Sequence, residues 1–213
     1  MNLIKRGHTM TKEDEVVWKH FHIKRNDVLP FSGWAGGRGT LPLIYKELGY
    51  KVGVEVGTRK GVYAEEMCKA HPEMKLYCVD PWRAFSRNPQ DKMDGQYEEA
   101  KKRLDPYNVV LVRKTSMEAL SIFENESLDF VYIDALHSFN GFMVDLLFWQ
   151  RKVRLGGIVA GHDYFKFYQA GIMPAVDAFT IGNNITPWYV TRQDRDPSWF
   201  YVKQHRCYDE EWI

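Results

Sequence analysis

The sequence predicts an α/β fold, a doubly wound, mostly parallel seven-stranded sheet that ends in an antiparallel β-hairpin. Three observations predict it. Short apolar runs alternate five times with helix-length amphipathic segments, the pattern of right-handed βαβ units. Several of these runs close on a glycine or an acid, as β-strands do when they deliver residues to a site at one rim of the sheet. The C-terminal stretch breaks the alternation with two aromatic-rich runs joined by a polar turn, which reads as a hairpin.

Glu13 to Phe21 has helical spacing, and Pro30 to Thr40 (PFSGWAGGRGT) is glycine-rich and reads as a loop. Leu41 to Leu48 forms a short helix that Gly49 ends. The first buried strand is Val52 to Val56, followed by a helix from Gly61 to Ala70 that Pro72 stops. Leu76 to Val79 is the second strand, and Asp91 to Leu104 a highly charged helix. Val109 to Val112 and Asp129 to Ile133 are the third and fourth strands, with a helix at Ser116 to Phe123 between them. Phe139 to Val153 is helical, Gly156-Gly157 makes a turn, and Ile158 to Ala160 opens the fifth strand. Ile185 to Thr191 and Ser198 to Val202 form the hairpin around Arg192 to Pro197. Residues 1–50 read as an N-terminal helical and loop extension, a lid, substrate segment or homodimer contact, and residues 51–213 as the main domain.

Composition excludes some functions. With 45% apolar and 27% charged residues the chain is ordinary for a folded protein, and 213 residues bury one large core. A net charge of +1 offers no field for nucleic acid or an anionic membrane. Three cysteines, Cys68, Cys78 and Cys207, make no disulfide framework. Met1 to Thr11 lacks the apolar core of a signal peptide, and no apolar run is long enough to span a bilayer. Cytoplasm is therefore the expected location.

The informative motif is VEVGTRKG, from Val54 to Gly61. Gly57 permits a sharp turn and a close backbone approach, and Gly61 removes a side chain where loop meets helix. Glu55 is an acid on an apolar strand, which needs a partner if buried. Asp80 ends the second strand where a carboxylate can accept both hydroxyls of a ribose. At the opposite side of the same rim stand Asp134 and His137 after the fourth strand, and His162 and Asp163 after the fifth. A histidine near neutrality is a good general base. Trp34, Tyr164, Phe165, Phe167 and Tyr168 flank this rim, Tyr164 to Met173 reads as an aromatic loop forming a wall for the acceptor, and Gly33 to Gly39 as a mobile lid.

VEVGTRKG with YCVDPW resembles the first two motifs of class I S-adenosylmethionine (SAM)-dependent methyltransferases. FVYIDALHSFNGFMVDLLFWQRKVRLGGIVAGHDY is similar to the members whose fourth strand reads "IDG-x-HSY" and whose fifth reads "GG-x-x-x-x-HD", relatives of the O-methyltransferases. The resemblance runs from about Val52 to Tyr164 and more weakly through the hairpin. It implies a Rossmann-like sheet and transfer of a methyl group to a small-molecule acceptor, most simply at oxygen. It also implies roles. Gly57, Thr58 and the loop to Gly61 pack on the methionine part of SAM, and Glu55 holds that loop or the amino group. Asp80 grips the ribose, Trp82 packs near the adenine, and Ser116 and Met117 meet the adenine edge and face, although Met117 suits helix core equally. Asp134 contacts SAM or takes part in catalysis with His137. In metal-dependent catechol-type enzymes an acid and an Asp-Asn pair occupy the positions of Asp134, His162 and Asp163, with a lysine near His137. The replacements here would suit Mn²⁺ more than an all-oxygen Mg²⁺ site.

Two other classes compete. An NAD(P)-dependent oxidoreductase would need a glycine where Glu55 stands. A non-catalytic SAM-binding or partner-binding module shares most of these residues and lacks only the need for His137 and Asp134. A nucleic acid N-methylase is disfavoured, because Asp134-Ala135-Leu136-His137 replaces its D/N-P-P-Y/F tetrad.

Overall fold

The structure is a computed structural model that describes residues 10–24, 30–32, 36–86, 88–166 and 170–207. Trp34, Phe167 and Tyr168 lie outside the described residues, as does part of the glycine-rich segment.

Helix α1 (Lys12–Phe21) starts at a capping box in which Thr11 and Asp14 satisfy each other's backbone amides. A two-residue strand β1 (Phe31–Ser32) follows, then a 3₁₀ turn at Arg38–Thr40 and helix α2 (Leu41–Glu47). The alternating part comprises β2 (Val52–Val56), α3 (Val62–Ala70), β3 (Lys75–Val79), α4 (Gln90–Leu104), β4 (Val109–Val112), α5 (Ser116–Ala119), β5 (Leu128–Ile133), α6 (Phe139–Lys152) and β6 (Val153–Gly161). The chain then forms α7 (Ile172–Gly182), β7 (Tyr189–Val190) and β8 (Trp199–Val202).

The strand order is β1-β7-β8-β6-β5-β2-β3-β4. Strands β2 to β6 run parallel, while β8 is antiparallel to both β6 and β7. The seven expected strands are β2 to β8, and β1 adds a short parallel edge to β7 from a segment whose sequence reads as loop. Strand order reverses at β2, between β3 and β5, so the carboxyl ends of those strands open a crevice there.

Alternation along the strands feeds two cores. Phe130 and Tyr132 face one side with α1, α2 and α3, where Val17, Phe21, Leu41 and Ile44 are buried. Val131 and Ile133 face the other with α6 and α7, where Trp149, Ala175 and Phe179 are buried. Residues before Val52 therefore cover one face of the sheet. Asp14 of α1, fully buried, accepts hydrogen bonds from the Tyr189 hydroxyl at 3.0 Å and the Gln204 amide at 3.1 Å.

Three local expectations change. The chain passes from α6 straight into β6 at Val153, and Gly156-Gly157 is not a turn but part of an irregular stretch where the β5–β6 register shifts. Gly156, at φ +73°, absorbs the distortion. Helix α7 occupies sequence that has no predicted element, and it begins inside the expected Tyr164 to Met173 loop. The paired part of β7 is two residues rather than seven, because Asn183 and Ile185 bond back to the end of α7. Cys68, Cys78 and Cys207 are free thiols. No helix among the described residues is long and apolar enough to cross a membrane.

Candidate active site

The crevice floor is built by the loop after β2. Gly57 has φ +98°, its amide donates to Val79 O at 2.8 Å, and a Cβ there would run into the carbonyl of Asp134. The close approach demanding glycine is thus between two strand ends. Gly61, at φ +71°, opens α3 against Leu104. Beneath the loop Glu55 is 3% exposed, and its Oε2 has no hydrogen-bond partner. Burial pushes its pKa up to about 8, with Thr58 and Arg38 pulling it down and the Asp134 and Asp80 charges adding to the rise. The Thr58 hydroxyl sits close enough to favour the charged form, yet outside hydrogen-bonding geometry, and is itself unpartnered.

Asp80 ends β3 and fixes the next wall. Its Oδ2 accepts from the Arg59 amide at 2.9 Å and its Oδ1 from the Trp82 amide at 2.8 Å. Burial raises its pKa, although both amides oppose the rise. Trp82 is fully buried, edge-on to Tyr97, and its indole N–H donates to Arg59 O at 2.8 Å. It braces the loop from behind. Beyond β4, Thr115 and Glu118 form a capping box for α5. The Ser116 hydroxyl donates to Asp145 and accepts from Trp149 Nε1 at 2.7 Å. Asp145 is buried, which pushes its pKa up to about 6 against that hydrogen bond. Met117 is 37% exposed. A cleft of about 410 Å³ lies beside these ends, lined by Pro81, Arg83, Arg113, Lys114 and Thr115.

The opposite wall joins the ends of β5 and β6. The Asp134 amide donates to Val56 O at 2.8 Å and the His162 amide to Ile133 O at 3.1 Å, which extends the sheet ladder into the site. The His162 Nδ1 lies 2.9 Å from Asp163 Oδ1 and 3.8 Å from Asp134 Oδ2. The His137 Nε2 lies 3.1 Å from Asp163 Oδ2 and 3.8 Å from Asp134 Oδ1. Asp163 adopts φ +60°, a conformation aspartate tolerates better than most residues, and its carboxylate sits between the two rings. Asp134 and Asp163 raise the pKa of His137 against burial. Burial opposes the charged form of His162, but the same two carboxylates outweigh it, and its pKa is also raised. Burial likewise opposes ionisation of Asp163, yet the adjacent histidines hold its pKa below the usual carboxylate range. One ligand atom each from Asp134, His162 and Asp163 all lie within 4.8 Å of one another.

Sequence reading missed Arg38. It arrives on the 3₁₀ turn from the glycine-rich segment, and its Nη1 lies 3.4 Å from His162 Nε2. The guanidinium stacks 4.7 Å over the Tyr63 ring. Its backbone amide donates to Asp194 at 2.7 Å, and its carbonyl accepts from the Tyr63 hydroxyl at 3.0 Å. Its only local signal is a cation among glycines (GGRGT). Tyr164, predicted as a cleft aromatic, donates to Asp177 of α7 at 2.7 Å and packs edge-on to Trp188. Phe165 follows it in the half-buried stretch after β6.

A sheet of this order, with the expected acids and glycines converging on the β2 switch point, defines a Rossmann-like methyltransferase domain. Residues 54–164, over half the chain, match the family model described as a methyltransferase domain, and the chain belongs to this family of class I SAM-dependent methyltransferases. Solved structures agree on the fold. The O-methyltransferase from Bacillus cereus, in complex with S-adenosylhomocysteine (SAH), aligns over 93% of this chain and 94% of its own at 15% identity and a TM-score of 0.58. The Streptomyces achromogenes O-methyltransferase of tomaymycin synthesis, in complex with SAM, aligns over 92% and 91% at 15% identity and a TM-score of 0.56. Spermidine synthase from Thermotoga maritima aligns over 82% and 61% at 15% identity and a TM-score of 0.54. No curated protein matches the chain by sequence.

Proposed function

We propose that the chain transfers a methyl group from SAM to an oxygen of a small-molecule acceptor, giving SAH and a methylated product. The observation that carries this reading is the convergence of two sets of residues at one rim: Glu55, Gly57 and Asp80 on one side, and His137 with Asp134 and Asp163 on the other.

The residues present fit the cofactor. The unpartnered Glu55 carboxyl and Thr58 hydroxyl suit an ammonium group, which would draw Glu55 into its charged form. Asp80 keeps lone pairs for ribose hydroxyls while its amide bonds fix its orientation. The Gly57 to Gly61 loop would lie against the methionine part. Ser116 and Met117 would meet the adenine, Ser116 being held by Asp145 and Trp149, and Trp82 keeps the loop in shape. Bound SAM supplies an electrophilic methyl group on a sulfonium sulfur.

On the acceptor side His137 acts as general base. Carboxylates only accept, so the proton of the neutral ring belongs on Nε2, 3.1 Å from Asp163 Oδ2, leaving Nδ1 to take the acceptor proton. Asp163 and Asp134 stabilise the imidazolium that results. Residues 1–50 would supply part of the acceptor wall through Arg38. For a divalent ion such as Mg²⁺ or Mn²⁺ the spacing of Asp134, His162 and Asp163 is suitable, but Arg38 already faces His162 there, and the chain's own side chains carry the proton transfer.

Calorimetric titration of the protein with SAM and SAH, alongside Asp80→Ala, tests the reading. Micromolar binding that weakens at least tenfold in Asp80→Ala is expected. A folded protein that binds neither ligand would sink it.

A further inference from the structure

We propose that Arg38 is the resident cation of the Asp134–His162–Asp163 cluster, so that an acceptor oxygen meets a guanidinium there and a divalent ion is kept out. The acceptor half rests on the methyl-transfer reading above. The exclusion half stands on the cluster alone.

The argument begins with donors and acceptors. A guanidinium only donates, so at 3.4 Å the His162 Nε2 facing Arg38 is the lone-pair nitrogen. The proton of a neutral ring then sits on Nδ1, the nitrogen 2.9 Å from Asp163 Oδ1. Nδ1 is also the nitrogen that faces Asp134. The His162 nitrogen that faces these carboxylates, and would have to give a metal its lone pair, therefore carries a proton. Binding an ion would move that proton to Nε2 and set two donors against each other across the Arg38 contact.

Charge points the same way. Asp134 and Asp163 are two carboxylates on one rim, an arrangement that attracts a dication if nothing else balances it. Arg38 balances part of it. Its guanidinium reaches the cluster at His162 Nε2, 3.4 Å away. Nor is the side chain free to wander. The Asp194 and Tyr63 bonds to its backbone and the Tyr63 ring under its guanidinium hold it from three directions. A dication arriving beside it would be repelled at short range in a half-buried site.

The test is binding of Mn²⁺ alone, read by electron paramagnetic resonance, in the wild type, Arg38→Met and Arg38→Lys, with circular dichroism to establish folding. Binding by Arg38→Met at least tenfold tighter than wild type is expected, with the gain lost when Asp163→Asn is added. Arg38→Lys keeps a cation and should stay close to wild type. Micromolar Mn²⁺ binding by the wild type, or no gain in Arg38→Met, would overturn the proposal. Should Arg38→Met not fold, Arg38→Gln carries the same expectation, because it also removes the charge. SAM titration of the same proteins separates the two readings. Loss of SAM binding in all of them tells against the methyltransferase reading, while the Mn²⁺ result judges Arg38 independently.

Discussion

His137 has one nitrogen engaged by carboxylates and one left for chemistry, the arrangement that makes a histidine a base. Replacing it with glutamine removes the base but no part of the proposed cofactor wall. SAM affinity in His137→Gln should stay within about threefold of wild type, while turnover with an acceptor found by screening falls roughly 10²–10⁴-fold. The pH profile gives a second check. A base must be neutral, so the rate falls as pH drops through the His137 pKa. Asp134 and Asp163 place that acidic limb above the ordinary histidine value. In Asp134→Asn the limb should move to lower pH, because a carboxylate that favoured the imidazolium is gone. An unmoved limb would mean that another group titrates. His137 was legible because strand ends are legible. Arg38 was not, because no local pattern distinguishes a site arginine from a solvated one.

Among the elements, α1 carries more than its sequence suggests. Its amphipathic spacing predicts a helix, but nothing local predicts that Asp14 is buried under Tyr189 and Gln204. Asp14→Ala removes a capping-box partner and the hydrogen bonds that Tyr189 and Gln204 make to a buried carboxylate. Chemical denaturation should register a loss of about 2–4 kcal/mol. A loss under about 0.5 kcal/mol would show that water replaces these bonds. Helix α7 teaches the reverse. Ile172, Ala175, Val176 and Phe179 fall at helical spacing and are buried on one face, so its signal was present and masked by the aromatic stretch before it. Strand β6 shows a limit of local reading, since Gly156-Gly157 has turn composition inside a strand held by both neighbours.

At the scale of the whole molecule, residues before Val52 are structural as well as proposed acceptor wall. One core is closed by Val17, Phe21, Leu41, Ile44 and Tyr45, and deleting them would bare Phe130, Tyr132 and Phe200 on the sheet. A fragment of residues 51–213 should therefore lack a cooperative thermal transition and bind a hydrophobic dye, which differential scanning calorimetry and dye fluorescence would detect. A sharp transition near that of the full chain would mean that the sheet does not depend on this cover. The sequence by itself determined the βαβ order, the terminal hairpin and which acids and glycines end which strands, because hydrophobic period and strand punctuation are local properties. Tertiary structure alone decided why Gly57 must be glycine and that Arg38 reaches His162. Those depend on groups far apart in the chain, 124 residues for the Arg38–His162 contact, and no periodicity encodes such a meeting.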